Sequence, residues 1–244
     1  MKFTILIPTY NERGNIETLL YKIAQITRNI KNHTFDIYII DDNSPDKTPK
    51  LVKKISKKIK IHNLTIHVLI RNKKEGIGKA YLFGFRYILN KNSFDYALQM
   101  DADLSHNPKY ISQFVRAAEN GYGFIVGTRY MKGGSLPKNW PWYRKYLSIF
   151  GNLYTRFLLD RSITDYTGGF NMYSKGILKR LDFLTLNASG YGFLIGLKYK
   201  SLQIAKKILQ VPIQFHDRSW GESKMPLNTL HINFMYVIQL KLND

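Results

Sequence analysis

The sequence contains no cysteine, which excludes a disulfide framework and thiolate chemistry and fits a reducing, cytoplasmic setting. No stretch approaches the roughly 20 apolar residues needed to span a bilayer, so no membrane crossing is expected. The first residues enter an apolar strand pattern directly, with no basic segment ahead of a long apolar run, so no signal peptide is read. Internal repeats, low-complexity tracts and an interdomain linker are also missing. Acidic residues are scarce, with 17 Asp and Glu against 37 Lys and Arg, a formal charge of +20. Such a surplus favours polyanionic partners: nucleic acid, anionic lipid or phosphorylated substrates. Part of it, Lys53 to Lys60 (KKISKKIK), has the pattern of a solvated helix face.

What is present is enough for a full core: 244 residues, 44% of them hydrophobic. Lys2 to Thr9 is a near-continuous apolar run, as expected of a central parallel strand. A helix follows from Asn11 to Asn15 onward, with Asn15 as its cap and Ile16, Leu19, Leu20 and Ile23 at helical spacing. Further strands are predicted at 35–40, 64–70, 96–100 and 123–128, with helices over 48–60 and after Gly76 and Gly78. This alternation predicts an α/β fold with a doubly wound, mainly parallel sheet and flanking helices. Beyond it come a Gly- and Pro-rich loop at 131–141 and amphipathic helices over 143–159 and, at the C-terminus, 227–242. A strand at 208–215 lies between them. Residues 1–244 read as one domain in three parts: 1–130, 131–225 and a terminal helix over 226–244.

Four strand ends carry polar groups: Pro8-Thr9-Tyr10-Asn11-Glu12, Asp41-Asp42, Asp101-Ala102-Asp103 and Thr128-Arg129. In a parallel sheet these face the same edge and can converge on one ligand. Tyr10 can stack on a base, and Glu12 and Asp42 can accept hydrogen bonds from base or ribose. The Asp101 and Asp103 carboxylates suit Mg²⁺ or Mn²⁺ that also holds a substrate diphosphate. Taken alone, the acidic pair reads first as a turn ahead of a helix started by Asn107 and Pro108, and its company at the other strand ends is what favours a metal. Gly76-Ile77-Gly78-Lys79 lacks the spacing of a phosphate loop and reads as a helix start.

Seven stretches occur in the order and spacing of family-two glycosyltransferases: PTYNE (8–12), DDNSPDKT (41–48), RNKKEGIGKA (71–80), DADLSHNP (101–108), GTRY (127–130), DYTGGF (165–170) and DRSWGESKM (217–225). More narrowly, the chain resembles dolichyl-phosphate (polyprenyl-phosphate) mannose synthases. The resemblance implies a GT-A fold, a nucleotide-sugar donor such as GDP-mannose, Mg²⁺ or Mn²⁺, and a polyprenyl phosphate acceptor. By position, Pro8, Tyr10, Glu12 and Asp42 would hold the nucleoside. Asp101, Ala102 and Asp103 would bind metal and diphosphate, with Ser105 where relatives often have Gln as a third metal ligand. Arg218 and Lys224 would close over the donor diphosphate, and Arg129, Arg144 and Ser148 would hold the acceptor phosphate. Asp103, Arg129 and Arg218 would carry the chemistry, an in-line displacement with inversion. Asn171 and Gly196 depart from the pattern, since relatives often carry Arg and Glu there.

A polyprenyl chain stays in the bilayer, so the enzyme is expected to sit peripherally at the cytoplasmic face of a membrane. Trp140, Trp142, Tyr143, Tyr146, Leu147, Ile149 and Phe150, mixed with Lys138, Arg144 and Lys145, have the composition of an interfacial helix. Anionic lipid would attract the positive charge, and a membrane-protein partner is compatible with this setting. Within the same class, the alternatives are a UDP-glucose-dependent transferase and an impaired nucleotide-binding relative. From another class comes a basic nucleic-acid-binding module, suggested by the charge and the 17 tyrosines. Its aromatics form no repeated strand-face pattern and its acidic strand ends would repel phosphates, so no nucleic-acid partner is expected.

Overall fold

The computed structural model describes residues 1–186, 190–217 and 229–242. Its strands are β1 (Lys2–Thr9), β2 (Thr34–Asp41), β3 (Leu64–Ile70), β4 (Tyr96–Gln99), β5 (Phe124–Thr128), β6 (Asn171–Ser174) and β7 (Ile208–Pro212). The helices are α1 (Arg13–Arg28), α2 (Thr48–Lys58), α3 (Ile77–Lys91), α4 (Ile111–Glu119), α5 (Trp142–Leu158), α6 (Lys175–Arg180), α7 (Tyr191–Ile204) and α8 (Thr229–Leu242). The strands form one sheet in the order β3-β2-β1-β4-β6-β5-β7. All neighbours are parallel except β6, which runs antiparallel to both β4 and β5.

Alternation along β1 feeds two cores. Phe3, Ile5 and Ile7 join one with Ile16, Leu19, Leu20 and Ile23 of α1 and Phe114 of α4. Leu6 points the other way, into a core with Tyr81 and Phe85 of α3 and Phe193 and Leu197 of α7. Burial on both faces is why β1 reads as a continuous apolar run. Chain order reverses direction between β1 and β4, and open α/β sheets bind ligands at such a switch point.

Several sequence expectations change. Asn15 lies inside α1, buried, and its amide donates to Glu12 Oε2 at 2.8 Å, so Glu12 occupies the cap position. The final strand ends at Pro212, and only an isolated bridge between Ser135 and Gln214 extends the pairing. The terminal helix is present as α8 but is apolar on both sides rather than amphipathic. Val237 and Leu240 are buried while Ile232, Met235, Ile238 and Leu242 are exposed.

The α5 helix is amphipathic with its faces reversed. Its buried residues are Asn152 and Thr155, while Trp142 (73% exposed), Tyr146, Phe150, Leu153 and Phe157 (71%) face outward. Asn152 explains the polar inner face: its side chain donates to the Thr164 carbonyl and accepts from the Tyr166 backbone N–H. No described helix is long and apolar enough to cross a membrane.

Candidate active site

The ends of β1 and β2 are tied together below the edge of the sheet. Thr9 Oγ1 donates to Asp41 Oδ2 at 2.7 Å, and Ser44 donates to the same carboxylate through its hydroxyl and its backbone N–H. Left-handed backbone at Asn11 and Asn43 turns the chain sharply after each strand, a conformation that Asn tolerates well. Pro8, Tyr10 and Glu12 are left half-buried at the edge, with the Lys74 ammonium 4.5 Å from the Tyr10 ring centroid. Asp42 is buried and paired with Arg71 at 2.7 Å, and Arg71 also reaches Glu75 at 2.7 Å. Burial raises the Asp42 pKa, and Arg71 opposes the rise.

The chain leaves β4 at Gln99 and makes an acidic turn. Ala102 is buried, while Asp101 and Asp103 remain partly exposed. Three groups fix the turn from beneath. Ser105, itself buried, donates its hydroxyl and its backbone N–H to Asp103 Oδ1 at 2.6 and 3.1 Å. His106 Nδ1 accepts the Asp101 backbone N–H at 3.0 Å, and the Tyr81 hydroxyl lies 3.4 Å from Asp101 Oδ1. Burial lowers the His106 pKa to about 4, so near neutral pH the ring is uncharged and takes that N–H on its bare nitrogen. Between the acids and Ser105, Leu104 has φ +66°. A leucine held there costs roughly 1–3 kcal/mol and requires surroundings that over-determine the turn.

The acidic turn fits a divalent cation of the Mg²⁺ or Mn²⁺ type. It offers two hard carboxylates, and Gly169 faces Asp101 with no side chain, where a Cβ would lie 3.5 Å from Asp101 Oδ1. Among the described residues no group of three or more His, Asp or Glu gathers to hold a metal. Water and a substrate diphosphate would complete the shell, as is usual for Mg²⁺. Ser105 bonds to Asp103, an arrangement that orients the carboxylate.

The end of β5 carries Arg129, buried and locked to Asp165. Nε and Nη2 donate to the two carboxylate oxygens at 2.8 and 2.9 Å, the backbone N–H adds a third bond at 3.1 Å, and Nη2 also reaches Thr167. Burial alone would push the Asp165 carboxyl up, but the Arg129 guanidinium and Lys198 hold it far below the usual carboxylate range. The Lys198 ammonium donates to the Asp165 carbonyl at 2.6 Å. The 131–141 loop folds directly over this strand end. Gly134 makes that approach possible, since a Cβ there would meet the Thr128 carbonyl at 2.7 Å. Ser148 is hydrogen-bonded to the Tyr130 hydroxyl at 2.6 Å, and Arg144 stacks 4.0 Å from the Trp140 ring centroid. Arg218 and Lys224 lie outside the described residues.

The structure thus gathers Pro8, Tyr10, Glu12, Asp42, Asp101, Asp103 and Arg129 at one edge of the sheet. Arg144 and Ser148 come from α5 beside it. Sequence reasoning gave no role to Arg71, Tyr81, His106, Asp165 or Lys198. Asp165 had a signal, the DYTGGF stretch; Lys198 had one too, as a lone charge in the apolar run GFLIGLKY.

The two departures from the family pattern have separate surroundings. Asn171 is buried in β6, donating to the Gly168 carbonyl at 3.0 Å beside Gln99. At Gly196 the space is taken by α8, since a Cβ would meet the Tyr236 hydroxyl at 2.5 Å.

Comparison with known proteins gives the family and agrees with the fold. Residues 4–182 match the model of Glycosyl transferase family 2. Polyprenol monophosphomannose synthase of Mycolicibacterium smegmatis is 35% identical over 221 residues, covering 91% of this chain and 80% of that protein. Undecaprenyl-phosphate mannosyltransferase of Micrococcus luteus is 34% identical over 225 residues, covering 92% and 88%. The crystal structure of glucosyl-3-phosphoglycerate synthase from Mycobacterium tuberculosis with Mn²⁺ and UDP-glucose superposes with a TM-score of 0.63. It is 19% identical, covering 99% of this chain and 78% of that one, and the likeness is one of fold.

Proposed function

We propose that this chain, which belongs to glycosyl transferase family 2, transfers mannose from a nucleotide-linked donor to the phosphate of a polyprenyl lipid at a membrane surface. The relatives from Mycolicibacterium smegmatis and Micrococcus luteus are named as a polyprenol monophosphomannose synthase and an undecaprenyl-phosphate mannosyltransferase, and GDP-mannose is the donor this reading assigns. The observation that carries it is the segment Asp165–Gly169. Its first residue holds Arg129, and its last faces the Asp101 carboxylate without a side chain. A cation for an acceptor phosphate is thereby fixed to this short stretch of chain, and an acid for the donor diphosphate borders its other end.

In the proposed reaction an oxygen of the acceptor phosphate attacks the anomeric carbon of the sugar. The bond from that carbon to the donor diphosphate breaks on the opposite face, with inversion, and its electrons leave with the nucleoside diphosphate. A phosphate monoester has its second pKa near about 6, so the nucleophile is already ionised and no strong general base is required. The protein's task is orientation and charge stabilisation. Pro8, Tyr10, Glu12 and Asp42 hold the nucleoside, with Arg71 keeping Asp42 in place. Asp101 and Asp103 are the residues that would hold Mg²⁺ or Mn²⁺, which when bound would neutralise charge on the departing diphosphate. Arg218 and Lys224 are assigned to the same diphosphate. Arg129 grips the acceptor phosphate, assisted by Arg144 and Ser148 from α5.

The reversed faces of α5 supply the approach to the lipid. In water a row of outward Trp, Tyr, Phe and Leu is unfavourable, whereas at a membrane interface it is buried among head groups and acyl chains. Ile232, Met235 and Ile238 of α8, which packs against α5 through Phe234 and Tyr154, extend the same apolar surface. Cationic residues on the protein add attraction to anionic lipid, about 1 kcal/mol for each one near the surface.

The test is transfer of radiolabelled sugar into an organic-extractable lipid phosphate, comparing GDP-mannose with UDP-glucose and adding or chelating Mn²⁺ and Mg²⁺. Label from GDP-mannose that depends on a divalent cation is the expected result. Label from UDP-glucose alone would overturn the donor assignment. No label from either, alongside measurable nucleotide binding, would overturn the acceptor.

A further inference from the structure

Among the described residues Lys198 stands apart from the other lysines, because its side chain is completely buried. It sits in the middle of α7, among the buried Leu194, Ile195, Leu197 and Tyr199. An ammonium in such surroundings is costly unless something compensates it. Its hydrogen bond goes to the backbone carbonyl of Asp165, whose carboxylate is the group that fixes Arg129. One residue is therefore held at both ends, by Lys198 from behind and by Arg129 in front. The flanking backbone is fastened too, by Asn152 of α5 at Thr164 and Tyr166.

We propose that Lys198 is a positioning residue for the acceptor phosphate. It holds Asp165 so that Arg129 keeps its orientation, and when protonated it adds a positive charge behind the Arg129–Asp165 pair. This rests on the reading above that Arg129 receives that phosphate. Arg129 and Asp165 carry opposite charges, so protonating Lys198 adds one positive charge beside the pair. Burial pulls the lysine down, Asp165 partly offsets this and Arg129 adds to the drop, leaving a pKa of about 7. Lys198 in turn acts on His106, which carries no charge near neutral pH. A phosphate dianion arriving at Arg129 favours the protonated lysine, so acceptor binding takes up a proton. Affinity for the acceptor should accordingly fall as pH rises above 7.

The experiment is calorimetric titration of farnesyl phosphate, as a short soluble probe, into wild-type protein and Lys198→Met in buffers of different ionisation enthalpy. GDP-mannose binding is the control. At about pH 8 the free phosphate is already doubly ionised, so proton uptake there reports on the protein. Wild type should take up a proton at that pH and bind more weakly than at neutral pH. Lys198→Met should bind about 10-fold more weakly at neutral pH, lose the uptake, and bind GDP-mannose normally. Lys198→Arg, which stays charged, should bind with no loss at the higher pH. Wild type without proton uptake, or Lys198→Met within about twofold of wild type at both pH values, would overturn the proposal. The wild-type arm decides the matter even if Lys198→Met fails to fold. Wild type that binds GDP-mannose but no farnesyl phosphate would sink the acceptor assignment for Arg129, and the proposal with it.

Discussion

Helices α1 and α5 have the same kind of apolar periodicity and put it to opposite uses. In α1, Ile16, Leu19, Leu20 and Ile23 are buried against the sheet and the charged residues face water. In α5 the buried positions are Asn152 and Thr155, and the aromatic and aliphatic residues face out. An amphipathic pattern fixes the angle between two faces, and the surroundings decide which face is covered. For α1 the apolar medium is the protein's own core. For α5 the proposed medium is lipid. The inner face of α5 is polar because it holds the segment carrying Asp165, so the helix with the outward apolar face is tied to the proposed acceptor site by hydrogen bonds.

The sharpest break between the two regions is chemical. Asp101→Asn and Asp103→Asn should each lower sugar transfer by about 10²–10³-fold, the scale of losing a charge-stabilising group, measured by label in extracted lipid. Binding of either variant to anionic vesicles should be unchanged; a parallel loss of vesicle binding would show that the acid turn and α5 do not act separately. Next in size, Trp142, Tyr146 and Phe150 all changed to Ala should weaken vesicle partitioning by about two orders of magnitude in a flotation assay. The melting temperature should barely move, since surface changes cost little. Leu19→Ala in α1 should do the reverse: cost about 2–5 kcal/mol in denaturant unfolding, with no effect on partitioning beyond the loss of fold.

Asn152→Ala should cost roughly 1–3 kcal/mol, because it leaves the Thr164 carbonyl and the Tyr166 N–H without their partner. It should also raise the acceptor KM more than the donor KM. A further effect is one of pH. Lys198 has a folded pKa of about 7 against 10.5 unfolded, so between those values the unfolded chain binds the extra proton. Stability from this group therefore rises with pH across that window, and Lys198→Met should flatten the curve in unfolding titrations.

Much of this was legible in the sequence, and for identifiable reasons. Strands β1 to β5 carry strong apolar runs closed by polar residues, so both the sheet and the edge where Tyr10, Asp42, Asp101 and Arg129 meet could be read from pattern alone. Strand β6 could not. Asn171–Ser174 is polar at both ends and carries no apolar run, and pairing antiparallel between β4 and β5 is set by the sheet and not by local propensity. The Arg129–Asp165–Lys198 cluster was equally hidden, because its members lie 36 and 33 residues apart and only the fold brings them together. Composition marked α5 as interfacial, but not that Asn152 and Thr155 line its buried face, since that depends on the partners of Asn152. The left-handed turn at Leu104 had no local signal, leucine being a poor residue for it.

The most direct test of the central claim is a ratio of rates. Wild type and the Trp142, Tyr146 and Phe150 triple alanine variant would be given GDP-mannose with either a long polyprenyl phosphate in anionic vesicles or soluble farnesyl phosphate. The account predicts that the variant loses most of its activity on the vesicle-bound acceptor and keeps that on the soluble one. Equal loss on both, or no loss on the vesicles, would contradict the assignment of α5 as the surface that brings the active site to its lipid.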